Sequence, residues 1–251
     1  MAGHSKWANI KHKKAATDAK RAKVFTKITK ELVIAARQGG GNPEDNPSLR
    51  LILQKARAAN MPNKNIDRAI ARGTGEIEGG ELLELLYEGY GPHGVGMVIE
   101  VVTDNKNRAV AEVRHTLGKY GGSMAEGGAV MWQFTRKGMV LVPQGQVEDE
   151  DEFFLVAADA GAEDIEFSDP VEVICELDDF QKVQEALSDN GYEFEEANLI
   201  YQANNEMELE VPAAMQVLKL VEQLEELDDV QNVHTALHVT DDVADAMMAE
   251  G

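Results

Sequence analysis

Lys20, Lys23, Lys27 and Lys30 stand at i, i+3, i+7 and i+10, and Lys64, Arg68 and Arg72 recur every four residues. On a helix each set forms one row, and a row of cations neutralises a polyanion by contacting its phosphate oxygens. Lys6, Lys11, Lys13 and Lys14 precede the first row with no acidic residue among them, and Arg21 joins it. Lys106 and Arg108 follow in a polar turn, Thr103-Asp104-Asn105-Lys106-Asn107-Arg108, and could extend the basic surface into the middle of the chain. These fourteen side chains are the candidate nucleic-acid contacts. The competing reading is a solvated basic face.

Other residue types that promise chemistry lack the surroundings it needs. Gly89-Tyr90-Gly91-Pro92-His93-Gly94 fits the dinucleotide pattern G-x-G-x-x-G, but Val95 to Val102 reads as a second strand, where phosphate binding requires a helix N-terminus. A hairpin turn is expected there. His234 and His238 are four apart on a strand, about 13 Å, too far to share a metal. Cys175, the only cysteine, lies in the apolar run Val173-Ile174-Cys175-Glu176-Leu177 and reads as a buried, inert thiol. With no nucleophile beside a base and no metal-ligand spacing, the expectation is a protein that is not an enzyme and carries no cofactor.

Charge is segregated along the chain. Its 251 residues sum to −21, yet residues 1 to 72 carry 16 Lys/Arg against 5 Asp/Glu, a net +11. The 109 residues from 143 onward hold only Lys182 and Lys219 against 31 acids, a net −29. Such asymmetry points to a nucleic-acid-facing end. The acids include Glu148-Asp149-Glu150-Asp151-Glu152 at a helix start, where carboxylates favour the macrodipole, and solubility explains much of the rest. A basic protein is the partner this body would otherwise accept. The start lacks a signal-peptide core and no apolar run reaches membrane-spanning length, so a cytoplasmic location and no membrane contact are expected.

The elements that position these residues follow from periodicity. Val24, Phe25, Ile28, Leu32, Ala35 and Ala36 share one face of a helix over 17–38, stopped by Gly39-Gly40-Gly41, with the lysine row set opposite and expected outward. Asn46 and Pro47 open a second helix, and a third runs from near Pro62 to Gly73. Residues 1–73 are thus expected to be a basic arm and a three-helix bundle, with Gly73 to Gly80 a flexible hinge. Beyond it, strands over 83–90, 95–103 and 128–134 surround a helix over 108–119. A βαββαβ order over 137–203 (strands 138–142, 163–167, 171–176 and 192–201; helices 150–160 and 180–190) is the ferredoxin-like signature. A final βαβ unit, with strands over 207–211 and 230–239 and a helix over 213–227, is expected to pair with residues 81–135. The fold class is therefore α+β multidomain, with a split α+β domain of residues 81–135 plus 206–240 carrying the ferredoxin-like insertion.

Several segments resemble the YebC/PmpR family: Ala2-Gly3-His4-Ser5-Lys6-Trp7-Ala8-Asn9-Ile10-Lys11-His12, Asn60-Met61-Pro62, Arg68-Ala69-Ile70-Ala71-Arg72-Gly73, Tyr87-Glu88-Gly89-Tyr90-Gly91-Pro92, Asp104-Asn105-Lys106-Asn107-Arg108 and Asp228-Asp229-Val230-Gln231. The match runs through the chain in order, is weakest over 143–205, and departs from the family's loop at Ser123 to Ala129. The resemblance implies a three-helix N-terminal domain followed by two α+β domains, one inserted in the other. It implies DNA-binding transcriptional regulation in the cytoplasm, or a role in translation on the ribosome, as for a mitochondrial relative that activates translation. Three readings stay open: a DNA-binding regulator acting through the basic head, a factor bound to ribosomal or other structured RNA, and an acidic protein-interaction module.

Overall fold

The computed structural model describes residues 18–249. Helix α1 (Asp18–Gly39) buries Ile28, Leu32, Val33 and Ala36 against Leu49, Leu53 and Ala56 of α2 (Pro47–Ala58) and Ile66 and Ala69 of α3 (Asn63–Gly73). Asn60 takes the left-handed conformation (φ 57°) after α2, and α3 ends at Gly73 as expected, where a Cβ would stand 2.5 Å from the Val33 carbonyl oxygen. Leu82 and Val102, which lie outside the three helices, complete this core. The head is therefore closed by the domain that follows it.

Asn46 holds the α1–α2 corner. Its Oδ1 accepts the Leu49 N–H at 3.0 Å, and its Nδ2 donates to the carbonyls of Ala35 and Gly40, each at 2.8 Å. Replacing it by alanine removes the cap and takes a donor from two carbonyls at a site 4% exposed, so Asn46→Ala is expected to cost about 2 kcal/mol in a urea melt.

The first sheet has strand order β3-β1-β2-β8 and is antiparallel throughout, with β1 Leu83–Tyr90, β2 Gly96–Thr103, β3 Ser123–Met124 and β8 Val230–Thr235. β1 and β2 form a hairpin in register from Leu83↔Thr103 to Tyr90↔Gly96. Its turn, with His93 at φ 62° and Gly94 at φ 80°, is the Gly-rich segment, and the strand that follows excludes the dinucleotide reading. β2 is buried along nearly its whole length because α4 (Lys106–Lys119) and α7 (Val211–Glu225) cover one side, while Val102 joins the head core.

The second sheet, order β5-β6-β4-β7, is antiparallel and joins the first through β4 (Phe134–Val142) and β7 (Glu196–Ala203), which pair from Phe134↔Ala203 to Leu141↔Glu196. β5 (Ala162–Glu166) and β6 (Val171–Cys175) extend it, and α5 (Glu150–Asp159) and α6 (Phe180–Asp189) cover one face, packing Phe153 and Leu187 with Val140 and Val173 of the sheet. Cys175 is fully buried in that core, where burial pushes its thiol up to about 11.

Several boundaries differ from expectation. The strand expected over 128–134 is instead a loop ending in a short turn at Met131–Gln133, and β4 begins at Phe134 and absorbs the strand expected at 138. Glu88 explains the loop: its carboxylate accepts the N–H groups of Gly128, Val130 and Met131 at 2.6–2.8 Å, which pulls the backbone out of ladder geometry. Residues 207–211 make only an isolated bridge, Met207↔Leu237. A C-terminal helix, α8 (Asp241–Ala249), was unexpected; it buries Val243, Ala244 and Met247. Across the 73–80 segment Arg72 donates to the Gly80 carbonyl at 2.6 Å, and just beyond it Arg37 donates to the Leu82 carbonyl at 2.8 Å. No helix among the described residues is long and apolar enough to cross a membrane.

Candidate nucleic-acid interface

The lysine row of α1 lies where the helical wheel puts it, opposite the α2–α3 face, but it meets the body of the molecule there. Lys23 donates to the carboxylate of Glu226 and, at 2.9 Å, to its carbonyl. Lys27 donates to the Gln231 carbonyl at 3.2 Å. Lys30 reaches the carbonyls of Val102 (2.9 Å) and Asp228 (2.6 Å) and Oδ1 of Asp229 (2.7 Å). The expectation that this row points outward is corrected for Lys23, Lys27 and Lys30: one face of α1 docks on α2 and α3, and these three lysines dock on the turn between α7 and β8 and on its neighbours. Lysine suits this because its apolar stem packs while three ammonium protons satisfy carbonyls at the end of a helix.

Asp229 is the centre of that contact. Its side chain is 6% exposed; besides Lys30, its other oxygen accepts from Thr103 Oγ1 at 2.9 Å and from Arg108 Nη2 at 2.8 Å. Burial alone would raise its pKa, yet the hydrogen bonds from Lys30, Arg108 and Thr103 outweigh burial and hold the carboxyl below its ordinary 3.8. The same bond to Asp229, helped by one to Asp104 at 2.8 Å, raises the Arg108 guanidinium. Arg108 is thereby committed to the head–body junction. Nothing local in the sequence marks Asp229, Glu226 or Thr103 for this work, because the partners they meet across the junction lie 121 to 203 residues away.

Beside this junction opens a cleft of about 890 Å³, lined by Lys30, Asn65 and Arg72 of the head and by Asp104, Arg108 and Asp228 of the body. On the α3 wheel Arg68 lies about 60° and Lys64 about 100° from Asn65, so the two follow the lip of the cleft. Both are exposed, with no hydrogen-bond or ion-pair partner among the described residues, as are Arg57 at the end of α2 and Lys106 in the first turn of α4. Arg72, the third of that row, is folded back on Gly80. Arg57 was absent from the sequence candidates because no cation stands three or four residues from it. Lys6, Lys11, Lys13 and Lys14 lie outside the described residues, and of Lys20 and Arg21 only the helical backbone is described.

Three of the cleft's cations are already bonded to its carboxylates: Lys23 to Glu226, Lys30 to Asp229, and Arg108 to Asp104 and Asp229. Among the described residues no group of three or more His, Cys, Asp or Glu could hold a metal ion. The strand expected over 230–239 stops at Thr235, so only His234 lies in it; each histidine has a carboxylate that spacing did not reveal, His234 facing Glu100 at 3.3 Å and His238 facing Glu206 at 2.6 Å. Glu100 is held below its usual range because hydrogen bonds from His234 and Asn232 overcome the opposing effect of its burial.

Family models match this chain in two stretches: the TACO1/YebC protein N-terminal domain over residues 5–76, and the TACO1/YebC second and third domain over residues 82–237. A protein of Fervidobacterium nodosum described as a "probable transcriptional regulatory protein" is 50% identical over 250 residues, covering 100% of this chain and 99% of its own. One of Maridesulfovibrio salexigens with the same description is 51% identical, again over 100% and 99% of the two chains. The crystal structure of a conserved hypothetical protein of Aquifex aeolicus superposes with a TM-score of 0.82 at 39% identity, covering 89% of this chain and 93% of that one.

Proposed function

This chain belongs to the TACO1/YebC family, and from that premise we propose that it is a non-enzymatic, cytoplasmic regulatory protein that binds nucleic acid through its basic N-terminal segment, as a DNA-binding regulator of transcription. The three head helices act as one bundle in this reading, and residues 137–203 as a ferredoxin-like insertion in the split domain of 81–135 and 206–240. The observation that carries it is the net +11 over residues 1–72, of which Lys64 and Arg68 stay exposed after the head has docked. Lys6, Lys11, Lys13, Lys14, Lys20 and Arg21 would reach phosphate from the same end, and Lys106 from the body. The docked Lys23, Lys27, Lys30, Arg72 and Arg108 would hold the head in place and contact phosphate only at its edge.

Ribosomal or other structured RNA is the second reading, supported by the same residues, because lysine and arginine rows contact phosphate in either polymer without reading sequence. The test is affinity for DNA and RNA fragments between about 50 and 200 mM salt. The expected result is a linear fall of log affinity with log salt whose slope matches at least three phosphate contacts, roughly −3 or steeper. A flat dependence would overturn the reading. Crosslinking in cells with sequencing of both polymers separates the two targets: promoter DNA supports the first, ribosomal RNA the second.

A further inference from the structure

We propose that the outward face of α5 in the inserted unit is a docking site for a cationic amphipathic segment of a partner protein. Helix α5 is fixed from behind by Phe153 and Ala157, both fully buried, with the Phe153 ring edge-on to Tyr192 at 4.9 Å and to Phe167 at 6.0 Å. Phe154 and Leu155, which the core does not use, are 50% and 62% exposed. A single exposed leucine is ordinary on a protein surface. Two large neighbours on a ten-residue helix are a patch, and such anchors carry much of the energy where proteins meet.

The setting of this patch selects the partner. On the wheel Phe154 and Leu155 are about 100° apart with Asp151 and Ala158 between them, and Glu152 and Asp159 lie beyond Leu155. Asp151, Glu152 and Asp159 are exposed, and among the described residues no cation pairs with them. The supply of cations is short: residues 138–181 contain 14 Asp/Glu and no Lys or Arg. The bordering Lys137 is engaged by Glu163 and Glu176, and Lys182 by Asp179. An apolar pair ringed by unpaired carboxylates repels phosphate and anionic lipid alike. It fits a chain that brings apolar side chains flanked by lysine or arginine. The head does not enter the argument, so this site stands or falls apart from nucleic-acid binding.

The test uses the full chain and two fluorescent probes of equal charge, a helical peptide with one leucine face and one lysine face, and an oligolysine, read by anisotropy near physiological salt. The leucine–lysine peptide should bind about tenfold more tightly than oligolysine, and Phe154→Ser with Leu155→Ser should remove that advantage. Asp151→Lys with Asp159→Lys should weaken both probes, while circular dichroism, the melting temperature and nucleic-acid affinity stay as in the parent. Equal binding by parent and serine variant would overturn the proposal, as would equal affinity for the two probes. So would sedimentation showing that the parent self-associates and the serine variant does not, since the face would then belong to a second copy of this chain.

Discussion

Asp229→Ala is expected to cost about 3–5 kcal/mol and to lower the melting temperature by roughly 10 °C, because removing one partner of a buried ion pair strands the other. Here it takes the buried carboxylate from two cations and a hydroxyl: Lys30, whose side chain is 13% exposed and keeps only carbonyl acceptors, Arg108 and Thr103. Asp229→Asn keeps the shape and should recover part of the loss. The parent should also be acid-sensitive in a defined window. Asp229 has a folded pKa below its ordinary 3.8, so its contribution is present above about pH 4 and is lost as pH falls through the lower, folded value. Thermal melts between neutral pH and about pH 2.5 should show this slope in the parent and a shallower one in Asp229→Asn. Matching profiles would mean that the junction does not depend on the ionised carboxylate.

Reversing Lys64, Arg68 and Lys106 together to glutamate should reduce affinity for nucleic acid on the order of 10²-fold at 0.1 M salt and make the salt dependence shallower by about three phosphates, with the fold intact. These side chains are exposed and bond to nothing described, so their loss is read in binding alone. Lys30→Glu is the contrasting variant. It places a carboxylate against Asp229 and two carbonyls, and its main effect should be loss of stability. If the triple reversal left affinity unchanged while its melt matched the parent, the exposed rows would not be the contact surface.

Much of this fold was legible because local signals and tertiary packing agree. The spacing of Ile28 and Leu32 gave α1 its buried face, Asn46-Pro47 started α2, and a strand after Gly94 excluded a dinucleotide loop. The lysine row shows where legibility stops. Periodicity assigns Lys23, Lys27 and Lys30 to a face, and it cannot say that residues 226–231 will cover that face. The loop before β4 was misread for a related reason: Ala129, Val130 and Met131 have strand-like composition, and the Glu88 carboxylate that takes the N–H groups of Gly128, Val130 and Met131 out of a ladder is about 40 residues away. The pairs His234–Glu100 and His238–Glu206 were likewise invisible, since the first is set by the antiparallel register of β2 and β8 and the second lies beside the parallel bridge Met207↔Leu237, neither of which spacing along the chain reveals.

The docking of α1 on the α7–β8 turn also has an order in time. Lys27 bonds to a carbonyl 204 residues further along, so at about 5–20 residues per second roughly 10–40 s of synthesis separate the lysine from its acceptor. Through that interval the row has only water and counterions as company. The nascent chain is a polycation whose counterface has yet to be made, and it is most open to phosphate before β8 joins β2 and closes the row away.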